Sequence, residues 1–166
     1  VGLRQIAGWA EEVKPDLVSG ESMGATHAIA LRGYPHLLVS PSLNAPRYFR
    51  IMAGLVRIPG LTAFFDRHYH PKEGDRQALH FDRKTLLEWK PVLEDSLGNT
   101  PLNGSNDYFH AFFGTKDHFR RSGVVSVRTW RKYFGEGTWT IYDGTHFMEE
   151  EYIQSLLIPK IRSMLK

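Results

Sequence analysis

The chain contains no cysteine, which excludes disulfides, thiolate nucleophiles and cysteine-ligated metal centres. It fits a cytoplasmic protein, the expected location. No apolar run approaches the roughly 18 residues of a membrane span, so no membrane association is expected. Neither charge sign dominates: 21 Lys and Arg face 18 Asp and Glu, a net charge of +3. The densest basic stretch, Arg120 and Arg121 with Arg128, Arg131 and Lys132, reads as the solvated face of one amphipathic helix, and no nucleic-acid partner is expected. Low-complexity tracts and internal repeats are missing. So is a basic-then-apolar leader, because the chain opens on Val1 with Leu3, Ile6, Ala7, Ala10 and Val13 already at helical spacing. A start inside a helix reads as a piece of something longer, whose lost part would have held any targeting signal. Ligand clusters are equally scarce. His68 and His70 with Asp66 alternate beside Pro71 and Gly74 in what reads as a loop, and no second cluster supports them, so neither a metal nor another cofactor is expected.

What is present suits one domain with a substantial core: 166 residues, 42% hydrophobic, 23% charged and 13% aromatic. After the first helix, Leu17–Ser19 reads as a short strand, and Ala25–Leu31 as a helix ending at Gly33. Leu37–Val39 is a second buried-type strand. Residues 43–106 are less regular. Tyr48, Phe49, Met52, Leu55 and Val56 suggest an amphipathic helix, Pro59-Gly60 breaks the pattern, and 68–75 reads as a loop. A helix resumes at Asp82, and 103–107 is turn-rich. This stretch is expected to be a helical, cap-like insertion within a single domain spanning 1–166. Its aromatics Tyr48, Phe49, Phe64, Phe65 and Tyr69 either line an acyl pocket or pack the insertion onto its own sheet. Tyr108–Phe113 is the clearest strand, Val124–Phe134 a helix stopped by Gly135, and Thr138–Tyr142 the last strand. Glu149–Glu151 opens a closing helix. Strands alternating with helices predict an α/β fold with a parallel sheet covered by helices on both faces.

Gly20-Glu21-Ser22-Met23-Gly24 fits G-x-S-x-G between a strand and a helix, the setting a nucleophile elbow requires. Gly20 and Gly24 are expected to let strand and helix pass closely while the hydroxyl stays exposed. The alternative is a plain glycine-rich turn with an incidental serine. A serine nucleophile needs a base. Of the eight histidines, His146 is singled out because it leaves the last strand just before the closing helix. His27 lies in a helix, His110 in a strand and His36 at the other sheet edge, while His68, His70 and His80 fall in the irregular middle. The base needs a carboxylate to fix its tautomer. Asp117 leaves the Phe109–Phe113 strand, Asp143 is too close in sequence to His146, and Asp107 precedes the strand. Ser22, Asp117 and His146 thus each follow the C-terminal end of a different parallel strand, along the edge where open α/β sheets bind ligands. Their order, Ser then Asp then His, is that of α/β-hydrolases. Ser40 and Ser42 read as turn formers.

At these residues the chain resembles the α/β-hydrolase superfamily and, more narrowly, the small bacterial YqiA-type esterases. The matching pieces are Val18-Ser-Gly-Glu-Ser-Met-Gly24, Val39-Ser-Pro-Ser-Leu-Asn44, Phe113-Gly-Thr-Lys-Asp117 and Asp143-Gly-Thr-His146. The resemblance implies a cofactor-free carboxylesterase acting on a small acyl ester, with an N-terminal part missing. Glu21 and Ala25 depart from it, standing where small or glycine residues are usual. One oxyanion donor is expected to be the Met23 N–H at the start of a helix; the second would come from a loop after an earlier, absent strand. The open edge beside Leu17–Ser19 would be covered by that lost segment or by a second copy of the chain. Two other readings carry the same motifs: a non-catalytic scaffold that binds a ligand or partner, and an acyltransferase using the same serine.

Overall fold

Short apolar strands separated by helices assemble into a four-stranded parallel sheet in the order β1-β2-β3-β4. The structure is a computed structural model and describes residues 3–31, 33–68, 80–88, 97 and 109–166. The expected turn at 103–107, with Asp107, and the residues Tyr69 and His70 lie outside these, as does most of the expected 68–75 loop. The elements are α1 (Leu3–Val13), β1 (Val18–Glu21), α2 (Gly24–Ala30), β2 (His36–Val39), α3 (Ala45–Leu55) and α4 (Leu61–His68). Residues 83–88 are helical. Then follow β3 (Phe109–Gly114), α5 (His118–Ser122), α6 (Val127–Phe134), β4 (Trp139–Tyr142) and α7, which runs from Glu150 to Met164.

Strand register sorts the side chains by their alternation. Gly20 pairs with Leu38, Leu38 with Ala111, and Ala111 with Trp139. Residues in phase with these face one layer, and the intervening ones face the other. On the first face Val18, Leu38, Ala111 and Phe113 pack with Ala10 of α1, Ala25, Ala28 and Ile29 of α2, and Trp130 and Phe134 of α6. Trp130 is fully buried, stacks on Phe134 at 3.8 Å, and donates its indole N–H to the Thr138 hydroxyl at 2.9 Å. On the second face Leu37, Val39, Phe112 and Tyr142 meet Met148 and the α7 residues Tyr152, Ile153, Leu156, Leu157 and Ile161. The sheet therefore carries helices on both faces, and the α/β class holds. Residues Val1–Ala45 with Val92–Lys166 form one unit, and Pro46–Pro91 form another, narrower than the expected 43–106 insertion.

Two local readings need correction. The Gly24 position is open: a Cβ there would meet no atom within 4 Å, so the close strand–helix approach rests on Gly20 alone. At Gly20 a Cβ would sit 2.9 Å from the Ala25 Cα and from the Ala28 Cβ. The basic stretch does not share one helix. Arg120 and Arg121 lie on α5, which Gly123 ends at φ +80°, while Arg128, Arg131 and Lys132 lie on α6, whose Ser126 side chain caps Thr129 N–H at 3.2 Å. The closing helix is not uniformly α-helical. Over Ile153–Leu157 it widens to a π-turn, with the Ile158 N–H reaching the Ile153 carbonyl. Pro159 follows directly; it has no N–H to donate, and its ring crowds the preceding turn.

The packing gives two expectations. Gly20→Ala should cost about 1–3 kcal/mol by overpacking backbone against backbone, read as a Tm lower by several degrees, whereas Gly24→Ala should leave Tm unchanged or raised. His110 lies on the second face, 7% exposed, and bonds the Thr140 hydroxyl at 2.9 Å. Burial, helped by the Lys160 charge, holds its pKa down to about 4 from the usual 6.5. Between those values the unfolded chain binds a proton that the folded one refuses, so stability is complete above pH 6.5 and falls as pH drops towards 4. Urea midpoints at pH 7 and pH 5 should show this fall, and His110→Gln should reduce it.

Candidate functional site

Where β1 turns into α2, Ser22 adopts φ +54°, the left-handed region that non-glycine residues rarely occupy. Two backbone bonds to the β2 exit hold it there. Ser22 N–H donates to the Val39 carbonyl at 2.9 Å, and the Ser22 carbonyl accepts from Ser42 N–H at 3.1 Å. The hydroxyl is thereby aimed along the sheet edge at which β2, β3 and β4 also end.

His146 and Asp117 reach the same edge from β4 and β3. The imidazole is 3% exposed and Asp117 1%. His146 Nδ1 lies 3.0 Å from Asp117 Oδ2, and His146 Nε2 lies 2.8 Å from Ser22 Oγ. An ionised carboxylate only accepts, so the ring proton belongs on Nδ1, and Nε2 accepts from the Ser22 hydroxyl. The other Asp117 oxygen accepts from Phe119 N–H at 2.8 Å and so caps α5. One buried carboxylate thus orients the ring and anchors the next helix. The structure brings together Ser22, Asp117 and His146, the residues chosen from the sequence.

The remaining candidates are engaged elsewhere. Asp143 is exposed, pairs with Lys116 at 2.8 Å and accepts from the Thr115 hydroxyl at 2.8 Å; these bonds hold its carboxyl below the usual range. His36 is buried, stacked on Phe109 at 4.5 Å, with Nε2 2.9 Å from the Ala28 carbonyl. In the second unit His80 bonds Asp66 at 2.7 Å, and Phe81 N–H donates to the other Asp66 oxygen. Among the described residues no group of three or more His, Cys, Asp or Glu could hold a metal ion, and no helix is long and apolar enough to cross a membrane. The Met23 N–H follows directly on Ser22 and meets no acceptor among the described residues.

No family model, no curated protein and no solved structure matches this chain. The geometry of the site also includes three residues whose part in it the sequence motifs do not single out. Ser42, read as a turn former, is 3% exposed and places its Oγ 3.3 Å from Ser22 Oγ. With the Ser22 proton directed at His146, the Ser42 hydroxyl donates to the Ser22 oxygen. Its position just past a strand end, on the rim shared with Ser22, was the available signal. Glu21 accepts from Met148 N–H at 3.1 Å, tying the elbow to the segment just after His146. Gly114 ends β3 where a Cβ would run into the carbonyl oxygens of Gly144 and Thr145. The bare backbone lets the β3 and β4 exit loops touch, and Lys116 N–H bonds the Gly144 carbonyl at 2.9 Å.

The loop carrying His146 is therefore held from β1 by Glu21 and from β3 by Lys116, while Glu149 accepts from Thr145 N–H at 2.9 Å within it. Loosening the first tie should blur the imidazole–carboxylate bond. In proton NMR the bridging Nδ1 proton should resonate far downfield, and Glu21→Ala should broaden it or remove it. Glu21→Gln, which keeps an acceptor for Met148 N–H, should preserve it.

Proposed function

We propose that this chain carries the catalytic half of a cytoplasmic serine hydrolase of the α/β-hydrolase type, a cofactor-free carboxylesterase that cleaves a small acyl ester. The observation that carries the reading is the continuous run from Asp117 through His146 to Ser22, with links of 3.0 and 2.8 Å, drawn from three different strand ends. The left-handed backbone of Ser22 supports it, because an incidental serine in a glycine-rich turn has no need of that strain. The resemblance to YqiA-type esterases points the same way. In this reading the residues inserted between β2 and β3 are the cap-like segment. The outer edge of β1 would take a further strand, from an upstream segment or a second copy.

The chemistry follows from the arrangement. Ser22 Oγ attacks the acyl carbon while its proton passes to His146 Nε2, and Asp117 stabilises the imidazolium that forms. The tetrahedral oxyanion takes the Met23 N–H as one donor. Collapse breaks the bond to the alcohol oxygen, which leaves with the proton from Nε2, and Ser22 holds the acyl group as an ester. Water then repeats the sequence: His146 takes its proton, its oxygen adds to the acyl carbon, and Ser22 departs with the proton returned.

Incubation of the full-length protein with a fluorophosphonate should place one label on Ser22. Ser22→Ala should abolish the label and lower esterase turnover by more than about a thousandfold. Labelling that survives the substitution would refute the role of Ser22. Ester turnover at background despite an intact fold would favour a ligand-binding scaffold, and transfer to an added alcohol in preference to water would favour an acyltransferase.

A further inference from the structure

On the proposed reading of the site as an esterase, we infer that Phe119 and Phe147 form a leaving-group subsite that selects esters of aromatic or bulky apolar alcohols. Both rings touch the same imidazole. Phe119 meets His146 edge-on, with centroids 4.6 Å apart and planes at 62°, and Phe147 does so at 4.9 Å and 73°. The His118 ring packs against Phe119 at 4.0 Å and widens this aromatic surface. Neither phenylalanine belongs to the two core clusters. Phe147 is 62% exposed and Phe119 37%, while the imidazole between them is only 3% exposed.

A single exposed phenylalanine needs no explanation, but two on one titratable ring do. Their positions are set by polar groups of the site itself. Phe119 N–H is held by Asp117 at 2.8 Å, and the Phe147 carbonyl accepts from the Thr145 hydroxyl at 3.2 Å. Reaction geometry says which part of a substrate they would meet. The proton that His146 takes from Ser22 must be delivered to the departing oxygen, so that oxygen comes within hydrogen-bond reach of Nε2. The carbon attached to it then lies beside the imidazole, where the exposed ring faces are. The acyl group is bonded to Ser22 Oγ instead and has no such reason to meet the rings. An aromatic alcohol portion would cover apolar surface that is otherwise left in water.

The test compares methyl acetate with benzyl acetate, which share an acyl group and release alcohols of similar acidity, so their ratio of kcat/KM reports contacts on the alcohol side. Wild-type full-length protein should favour the benzyl ester. Phe147→Ala and Phe119→Ala should each lower the benzyl-to-methyl ratio by about tenfold, the scale of a lost apolar contact in a specificity pocket. Phe147→Leu, a milder change, should fall between. Equal loss on both esters would mean that the rings only shield the imidazole, and an unmoved ratio would also overturn the subsite. Fluorophosphonate labelling separates the two levels: a wild type that fails to label at Ser22 sinks the esterase reading and the subsite with it, whereas a labelled enzyme with an unmoved ratio sinks the subsite alone.

Discussion

Everything at the sheet edge depends on one bent residue. Ser22 sits in the left-handed region, and its peptide groups bond on both sides to the segment leaving β2, Val39 on one and Ser42 on the other. Backbone strain of this kind costs on the order of 1–3 kcal/mol and persists only where surrounding structure overdetermines it. Here the overdetermination comes from parallel pairing of β1 with β2 and from the absence of a side chain at Gly20, which lets α2 lie close against the strand. The hydroxyl can then meet an imidazole that arrives from 124 residues further along the chain.

The imidazole is fixed by a different economy. Asp117 is almost wholly buried, and its two oxygens serve two ends: one holds His146 and the other caps α5. A buried carboxylate with both oxygens bonded has lost little by leaving water. The exposed Asp143, three residues from His146, could not substitute for it. It is drawn away by Lys116 and Thr115 and instead ties the exit loops of β3 and β4 together on their solvent side.

Much of this was legible in the sequence, for a simple reason. Leu37–Val39 and Phe109–Phe113 are apolar runs too short for helices, and in a parallel sheet the residues just after such runs fall along one rim. Ser22, Asp117 and His146 could be picked by position before any side chain was placed. The elements that escaped are those whose cause is not local. Helix α5 spans only five residues, too few to show a period, and is set by its Asp117 cap. Glu21 reads as an oddity in the turn between β1 and α2 until Met148, 127 residues away, arrives to use it. Gly114 looks like a strand end, yet its lack of a side chain matters because another loop passes over it. Gly24 was credited by its motif with a packing role that the open space around it does not require.

The π-turn in α7 bears on how this protein can be trimmed. The wide turn over Ile153–Leu157 is separated from Pro159 only by Ile158, so its extra residue is an accommodation of the imino acid. Deleting one residue there would return the wide turn to an ordinary α-turn, leave the helix beyond it on nearly the same face, and press the pyrrolidine against the carbonyl of the preceding turn. Ile161 and Met164 would keep facing the sheet they cover, so the cost would fall on the proline. An engineer shortening this end would have to remove the proline in the same step, or begin the cut after it.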